Sequence, residues 1–590
     1  MNTSRNMTNL QIAKLLRAVA AALGLSTGDN RFRVIAYERA ADAVEHASSE
    51  VKDLWDEGKL TELAGVGEAM TAHLDELFKT GKVKHFNSLL GQFPPALFTL
   101  LEVPGIGPKN ALKLCKALGI SKAHTAVSKL EKAAKSGRIA PLEGFGDESQ
   151  AKILVGISEF KGRSRRLLLD VAQTAADSVI AWMKKDPAVK RIDTLGSLRR
   201  QTSTVGDIDL AVASDQGKLV IDHFTKYPKK NRVLEAGEHS ASLILPNDYQ
   251  VDLMVQPVAG YGALLQHFTG SKHHNIKLRE YALKKGYSLS EYGIKSSKQK
   301  VAGIKQFASE EEFYKFLDLD WIPPELREGE NEIVFAKRHT LPHLVEVGDI
   351  QGDLQIHSNI DVEPSHDLGI SSLSELTTQA SKLNYEYIGV TEHNPSVSRH
   401  TSQQVIDIIK RKSDIVHKFN SSEKRVHIFN GLEIDIQPNG SRALPDSALE
   451  QLDYACVSIH SSFRAPRPEM TARVLKAMDH PKVKFLAHPT ARLLQQREGV
   501  ELDWDQIFDF CLQHNKWLEI DGWPNRLDLP DTLVHEAIKH GVKLVVDTDS
   551  HAVDHMALMR YGVAVARRGW ATAADIINTC HLDQIKKLLS

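Results

Sequence analysis

Three aspartates set the chemistry open to this sequence. Asp207 and Asp209 stand two apart in the run G-D-I-D-L-A-V that begins at Gly206, and Asp252 sits in a second apolar run, Y-Q-V-D-L-M-V, from Tyr249. Residues two apart in a strand project from one face, so Asp207 and Asp209 aim into one small volume. Carboxylates that close repel, and each pKa rises unless cations hold them apart. A hard divalent cation with oxygen ligands resolves the conflict, and Mg²⁺ typically takes one or two carboxylates plus substrate phosphates. Just upstream, L-G-S-L-R-R puts a turn at Gly196 and Ser197 ahead of Arg199 and Arg200. Asp207, Asp209 and Asp252 are therefore the candidate metal ligands and catalytic residues. The plain alternative is an exposed Asp-x-Asp on an edge strand with arginines in surface ion pairs; the flanking features decide against it.

The elements that position these residues belong to a chain of 590 residues, long enough for several domains at ~100–200 residues each. Charge is nearly balanced at −1, but unevenly spread. Residues 261–300 carry eight Lys/Arg against two Asp/Glu, and residues 161–200 carry ten against four. Both basic segments flank the carboxylate strands, as a polyanion-binding cleft requires. Cys115, Cys456, Cys511 and Cys580 show no paired spacing, which argues for a reducing compartment and against a disulfide framework. Lys14 and Arg17 interrupt the first apolar stretch, so no signal peptide is expected there. No run approaches the ~20 apolar residues of a membrane span. A cytoplasmic protein without membrane partners is expected.

Residues 8–80 carry a helical apolar period, as in Leu10, Ile12, Leu15, Leu16 and Val19. L-A-G-V-G-E-A-M at 63–70 is echoed by V-P-G-I-G-P-K-N at 103–110 and, faintly, by E-G-F-G-D-E-S at 143–149. Gly65, Gly67, Gly105 and Gly107 permit tight turns that bring amide N–H groups at a helix start to a phosphate. Such turns resemble helix-hairpin-helix elements, which hold DNA backbone without reading sequence. A long helix is expected over 165–185, followed by the carboxylate strands and then by T-G-S-K-H-H-N-I-K-L-R-E at 269–280.

Together these motifs resemble family X DNA polymerases of the bacterial PolX type. The resemblance implies that Asp207, Asp209 and Asp252 bind two metals, Mg²⁺ or Mn²⁺, and that Gly196, Ser197, Arg200 and Gly270 hold the incoming triphosphate. Asn275 and Arg279, four apart and so on one helix face, would check the nascent base pair from the minor groove. Acceptors there are nearly the same for all pairs, so such contacts sense shape rather than identity. Two positions depart from the family. His267 stands where a Tyr usually precedes the Phe of this element, which bears on sugar discrimination. His73 falls where related repair polymerases carry a Schiff-base Lys, with Ala69 replacing a supporting Lys; an imidazole cannot form that iminium.

Pro323, Pro324 and Pro342 mark a linker, after which strands alternate with helical stretches. Strands near 353–357, 387–391, 427–433, 454–460, 484–488, 517–521 and 543–549 imply a mostly parallel sheet and a closed or nearly closed β/α barrel. His357, His393, Glu433, His460, His488, Asp549 and His551 fall at the strand ends, the face that bears chemistry in such barrels. Imidazoles with carboxylates suit Zn²⁺ or Mn²⁺. The words T-E-H, S-I-H-S-S-F, A-H-P-T and T-D-S-H resemble the PHP (polymerase and histidinol phosphatase) domain, which implies Mn²⁺-dependent 3′–5′ exonuclease or related phosphoesterase activity. Its first motif, H-x-H, here reads Gln355-Ile356-His357. The Asp expected five residues after the second His falls on Val362, with acids at 361 and 363, and the Asp of T-D-H is Glu392.

The expected architecture is multidomain, α+β and α/β. It comprises a helical DNA-end-binding domain (1–90), a second helix-hairpin-helix subdomain (91–160) and a polymerase beta-like nucleotidyltransferase palm (161–256). A nucleotide-binding subdomain (257–325), a linker (326–349) and a PHP-type seven-stranded β/α barrel (350–590) follow. The function expected is gap-filling DNA synthesis in base excision repair, by a monomer acting on gapped or primer-template DNA with deoxynucleoside triphosphates. In it the primer 3′-hydroxyl attacks the α-phosphorus, with Asp209 or Asp252 as proton acceptor and a barrel exonuclease that is weak or lost. Two rivals are a non-catalytic DNA-end scaffold and a phosphoesterase delivered to DNA by an inactive polymerase. The intact palm aspartates argue against the first. The substitutions at Gln355 and Val362, against none in the palm triad, argue against the second.

Overall fold

The structure is a computed structural model that describes residues 7, 9–26, 30–45, 51–56, 60, 66–164, 166–246, 249–296, 303–423 and 425–590. Contacts divide the chain into two units, Met1–Arg165 with His460–Ala465, and Arg166–Ile459 with Pro466–Ser590.

The first unit is helical and holds two apolar cores. One gathers Ile12, Leu16, Val19, Leu74, Leu77, Phe78 and Phe86; the other gathers Leu97, Leu100, Val103, Ile106, Leu114, Leu130, Ile139 and Ile153. Each of the three glycine words enters a helix. Gly67 caps the helix Glu68–Thr80, Gly107 caps Pro108–Leu118, and the third leads into Asp147–Ser164. Gly105 sits at φ +85° and Gly144 at φ +84°, a region L side chains rarely adopt. Ile106, between the two glycines of its hairpin, is buried and anchors the turn to the second core. Gly65 lies outside the described residues.

The second unit begins with a departure from expectation. The helix expected over 165–185 spans Leu169–Met183, because Leu167 and Leu168 pair antiparallel with Val205 and Thr204 as a two-residue ladder. A five-stranded sheet follows, in the order Arg191–Thr194, Ile208–Ala213, Gln250–Gln256, Ser240–Ile244 and Arg232–Ala236. Ile208–Ala213 and Gln250–Gln256 run parallel inside it; the first is buried at every residue but Asp209, and the second alternates until its last two residues. A further core around Leu278, Phe313, Tyr314 and Leu326 organises the helices after it.

The remainder alternates strands and helices, as the pattern predicts, but its hydrogen bonding does not close a seven-stranded barrel. Eight parallel strands form two sheets. One holds Gly352–Ile356, Tyr387–Val390 and His427–Asn430; the other holds Glu433–Asp435, Ala455–Ser458, Val483–Leu486, Trp517–Asp521 and Leu544–Asp547. The run expected as one strand over 427–433 is two, broken at Gly431. A Cβ at Gly431 would lie 2.7 Å from Thr391 Cγ2 and 2.8 Å from the Tyr454 ring, and its carbonyl is turned to the Lys412 ammonium. The chain changes sheet partner there, and isolated bridges His393↔Glu433 and Ile356↔Ser550 link the two sheets. Among the described residues no helix is long and apolar enough to cross a membrane.

Candidate functional site

Parallel pairing puts Asp209 and Asp252 in direct register on adjacent central strands. Asp207, expected in the strand, lies exposed in the bend just before Ile208, and its charge still reaches Asp209. Burial pushes the Asp209 carboxyl up to about 6, and the Asp252 and Asp207 charges add to the rise. Gln250 Nε2 donates to both oxygens of Asp252, at 3.1 and 3.0 Å. Gly196, at φ +55°, closes the near wall: a Cβ there would come within 3.0 Å of Asp209 Oδ2. The Leu195 N–H donates to the Asp209 carbonyl at 2.8 Å, which pins the turn to the strand. Three oxygen donors with mutual repulsion fit a hard divalent cation.

Ser197 lies in the short helix Gly196–Arg199, its carbonyl held by Thr202. Arg200 donates Nη1 to the Thr269 carbonyl at 2.5 Å and Nε to Glu328 Oε1 at 3.1 Å. Gly270, at φ +71°, makes room for it, since a Cβ would lie 3.0 Å from Arg200 Nη1. Asn275 and Arg279 share the helix Lys272–Lys284, capped by Ser271. Arg279 is exposed, whereas Asn275 is held by Gln266 Nε2 at 2.8 Å and by its own donation to the His267 carbonyl at 2.7 Å. His267 packs edge-on against Phe268, and burial holds its imidazole below the usual range.

A buried ion cluster behind this site escaped the sequence. Glu310 accepts from Arg199 at 2.6 and 3.0 Å and from Arg327 Nη1 at 2.6 Å. Burial alone would raise its pKa, but Arg327 and Arg199 outweigh it and hold the carboxyl down at about 2. The arginine pair thus divides: Arg199 braces the fold and Arg200 faces the turn at Gly270. The double arginine was a signal; that one partner would be a glutamate more than a hundred residues on was not.

In the first unit, His73 stacks on His85 at 5.5 Å between centroids and packs against Phe86, with Arg33 Nη2 3.1 Å from His85 Nε2.

The C-terminal strand ends converge on Glu433. His488 Nε2 lies 2.9 Å from its Oε1, while His393 Nδ1 and His357 Nε2 lie 3.2 and 3.4 Å from its Oε2. His357 Nε2 is also 3.0 Å from Asp549 Oδ1. Burial opposes charge on His357, but the Asp549 and Glu433 carboxylates outweigh it and hold the imidazole up at about 10. Ligand atoms lie within 4.8 Å of one another in His357–His393–His551 and in His357–Glu433–Asp549, among other such groups. His357 Nδ1 is buried without a hydrogen-bond partner among the described residues. The donor set suits a borderline divalent metal. His460 opens the segment that groups with the first unit.

The substituted positions behave differently from one another. Gln355 is buried with Oε1 3.9 Å from Cys456 Sγ, and its Nε2 has no partner among the described residues. Val362 is core, and Glu363 is taken by His400 at 2.8 Å. Glu392 is buried on Lys412 at 2.7 Å. A carboxylate missed by the sequence count, Asp367, reaches the same imidazoles. It lies 3.4 Å from His393 Nε2 and 3.5 Å from His551 Nε2, and though its side chain is largely exposed those imidazoles hold it below the usual carboxylate range. Asp367 stands ten residues after His357 rather than five, and the adjacent His366, also unremarked in the sequence, lies 3.1 Å from Asp435.

A carboxylate triad on a mixed sheet behind a Gly-Ser turn, in a chain with glycine hairpins that enter helices, defines a nucleotidyltransferase that handles DNA. The DNA polymerase beta thumb model matches residues 264–328, and a helix-hairpin-helix domain model matches residues 7–83. The DNA polymerase/3′-5′ exonuclease PolX of Bacillus subtilis (strain 168) is 32% identical over 585 residues, 99% of each chain. DNA polymerase lambda of Arabidopsis thaliana is 25% identical over 359 residues, 55% of this chain and 62% of that one. A probable phosphatase of Caldicellulosiruptor saccharolyticus is 25% identical over 157 residues, 26% of this chain and 59% of that one. The chain belongs to the bacterial PolX family, and it is a DNA-directed DNA polymerase of family X.

Proposed function

We propose that the palm is the polymerase active site and that it fills short gaps during base excision repair. The observation that carries this is the register pairing of Asp209 with Asp252 beside Gly196, with the Asp207 charge acting on Asp209. Asp207, Asp209 and Asp252 would hold Mg²⁺ or Mn²⁺. Divalent cations bound there supply activation of the primer hydroxyl and charge for the leaving oxygen. Ser197 and Arg200 orient the triphosphate, with Gly196 and Gly270 allowing its close approach. Asn275 and Arg279 face the minor groove, and Asp209 Oδ2 or an Asp252 oxygen accepts the primer proton. Gly65, Gly67, Gly105 and Gly107 present amides to DNA phosphates.

For domains we infer 1–90, 91–160, 161–256, 257–325, a linker at 326–349, and a PHP-type region at 350–590. The alternating parallel strands and the likeness to a phosphatase support the last. There His357, His393, Glu433, His460, His488, Asp549 and His551, with Asp367 added, would hold Mn²⁺ or Zn²⁺ and support 3′–5′ degradation weakened by Gln355. We infer a monomer that works on cytoplasmic DNA. The test is primer extension and primer degradation on gapped DNA, each with Mg²⁺ and with Mn²⁺. Extension lost in Asp209→Ala and degradation lost in His488→Ala, each without the other, supports two independent sites. Extension retained in Asp209→Ala would sink the palm assignment.

A further inference from the structure

Two arginines from distant parts of the second unit share one carboxylate. Glu328 Oε1 accepts from Arg200 Nε at 3.1 Å and from Arg568 Nη1 at 2.9 Å. Arg568 ends the helix Met559–Arg568 in the C-terminal region. Its Nη1 also donates to the Arg200 carbonyl at 2.9 Å, and its Nε and Nη2 reach Asp531 Oδ2 at 2.7 and 2.6 Å. The Arg568 side chain is 9% exposed and Glu328 35%, so the carboxylate is wet while the arginine behind it is fixed.

A polyphosphate approaching Arg200 competes with Glu328 for that guanidinium. With one counter-ion to its name, Glu328 would grip Arg200, and once displaced it would be a bare anion beside the phosphates. A second, immobile guanidinium on the same oxygen removes both penalties, because charge-assisted hydrogen bonds to Arg568 persist when Arg200 turns away. We propose that Arg568 is a positioning residue for the polymerase reaction, holding Glu328 so that Arg200 is released to the incoming nucleotide. The inference rests on the assignment of Arg200 to the triphosphate. It makes the C-terminal helix part of the nucleotide site without touching substrate.

Single-nucleotide insertion by the full chain on gapped DNA, with the nucleotide titrated, tests this. Arg568→Gln should raise KM for the nucleotide by about fivefold, the scale of one charge-assisted contact, with kcat within about twofold. Adding Glu328→Gln to Arg568→Gln should bring KM most of the way back, whereas a merely structural arginine would gain nothing from losing another partner. Should Arg568→Gln fail to fold, Glu328→Gln alone carries the test: KM falls if the proposal holds, and an unchanged or raised KM overturns it. Arg200→Ala separates the two layers. Unchanged KM there overturns the triphosphate assignment and this proposal with it. A raised KM there, with Arg568→Gln inert or the double substitution unrecovered, overturns this proposal alone.

Discussion

The palm and the C-terminal cluster both gather carboxylates, and they balance that charge in opposite ways. In the palm the Gln250 amide sits on Asp252, and burial together with the Asp252 and Asp207 charges pushes the Asp209 carboxyl up to about 6. In the C-terminal region Glu433 is met by the imidazoles of His357, His393 and His488, and Asp367 by those of His393 and His551. One site has charge in excess and depends on what it binds. The other carries its own counter-charges and can keep its shape between substrates. Aspartate triads on a rigid sheet suit a site whose metals travel with the nucleotide; mixed imidazole and carboxylate suits resident metal.

The largest effect should come from breaking either side separately. Asp209→Ala should cut extension by more than about 100-fold, beyond the loss typical of a residue that merely supports a metal ligand, with degradation unchanged. Asp367→Ala should do the reverse, cutting Mn²⁺-dependent degradation by about tenfold or more and leaving extension intact; equal loss of both activities would refute the separation. Next comes the altered strand. Gln355→His should raise degradation several-fold, while Val362→Asp should add nothing and cost about 3 kcal/mol or more, because it buries a charge in an apolar site. A gain on Val362→Asp would mean that Asp367 is not the missing acid.

Stability against pH sharpens the contrast at smaller scale. Asp209 has a folded pKa raised from 3.8 to about 6. Between those values the folded state binds more protons than the unfolded one, so metal-free stability falls as pH rises through that window. After solvent screening the loss is on the order of 1–2 kcal/mol. Asp209→Asn should flatten the dependence and raise the melting temperature at pH 7, read by thermal denaturation in chelator; an unaltered profile would count against it. The smallest expected signal is none at all. Borohydride trapping on an opened abasic sugar should give no adduct within residues 65–80, since His73 cannot form the iminium, and an efficient adduct there would show that a nearby lysine serves.

Local rules were legible in the sequence where spacing alone carries the geometry. Glycine hairpins announced helix starts at Glu68, Pro108 and Asp147, while the period of two reached only Asp209, because the strand begins at Ile208 and leaves Asp207 in the bend before it. Reasoning failed where a tertiary contact overrode a local one. The helix expected from 165 starts late because Leu167 and Leu168 found strand partners nearly forty residues on. The strand over 427–433 breaks at Gly431, whose missing side chain admits the Tyr454 ring. Asp367 was passed over because an offset of five from His357 was assumed, and it stands ten residues on. Arg199, Glu310 and Arg327 meet across the unit, a pairing that no window of sequence contains.

The two-residue ladder of Leu167–Leu168 with Thr204–Val205 also has a mechanical meaning. The chain leaves the first unit at Arg165 and enters that ladder at once, and Asp207 lies two residues beyond its partner strand. Arg166 fastens the same point, donating Nε to Thr204 Oγ1 at 2.7 Å while its carbonyl accepts from Gln495 at 2.7 Å. A displacement of the backbone at Leu167 is therefore felt at Thr204 and Val205, two residues short of Asp207, without passing through the helices and strand that separate them in sequence.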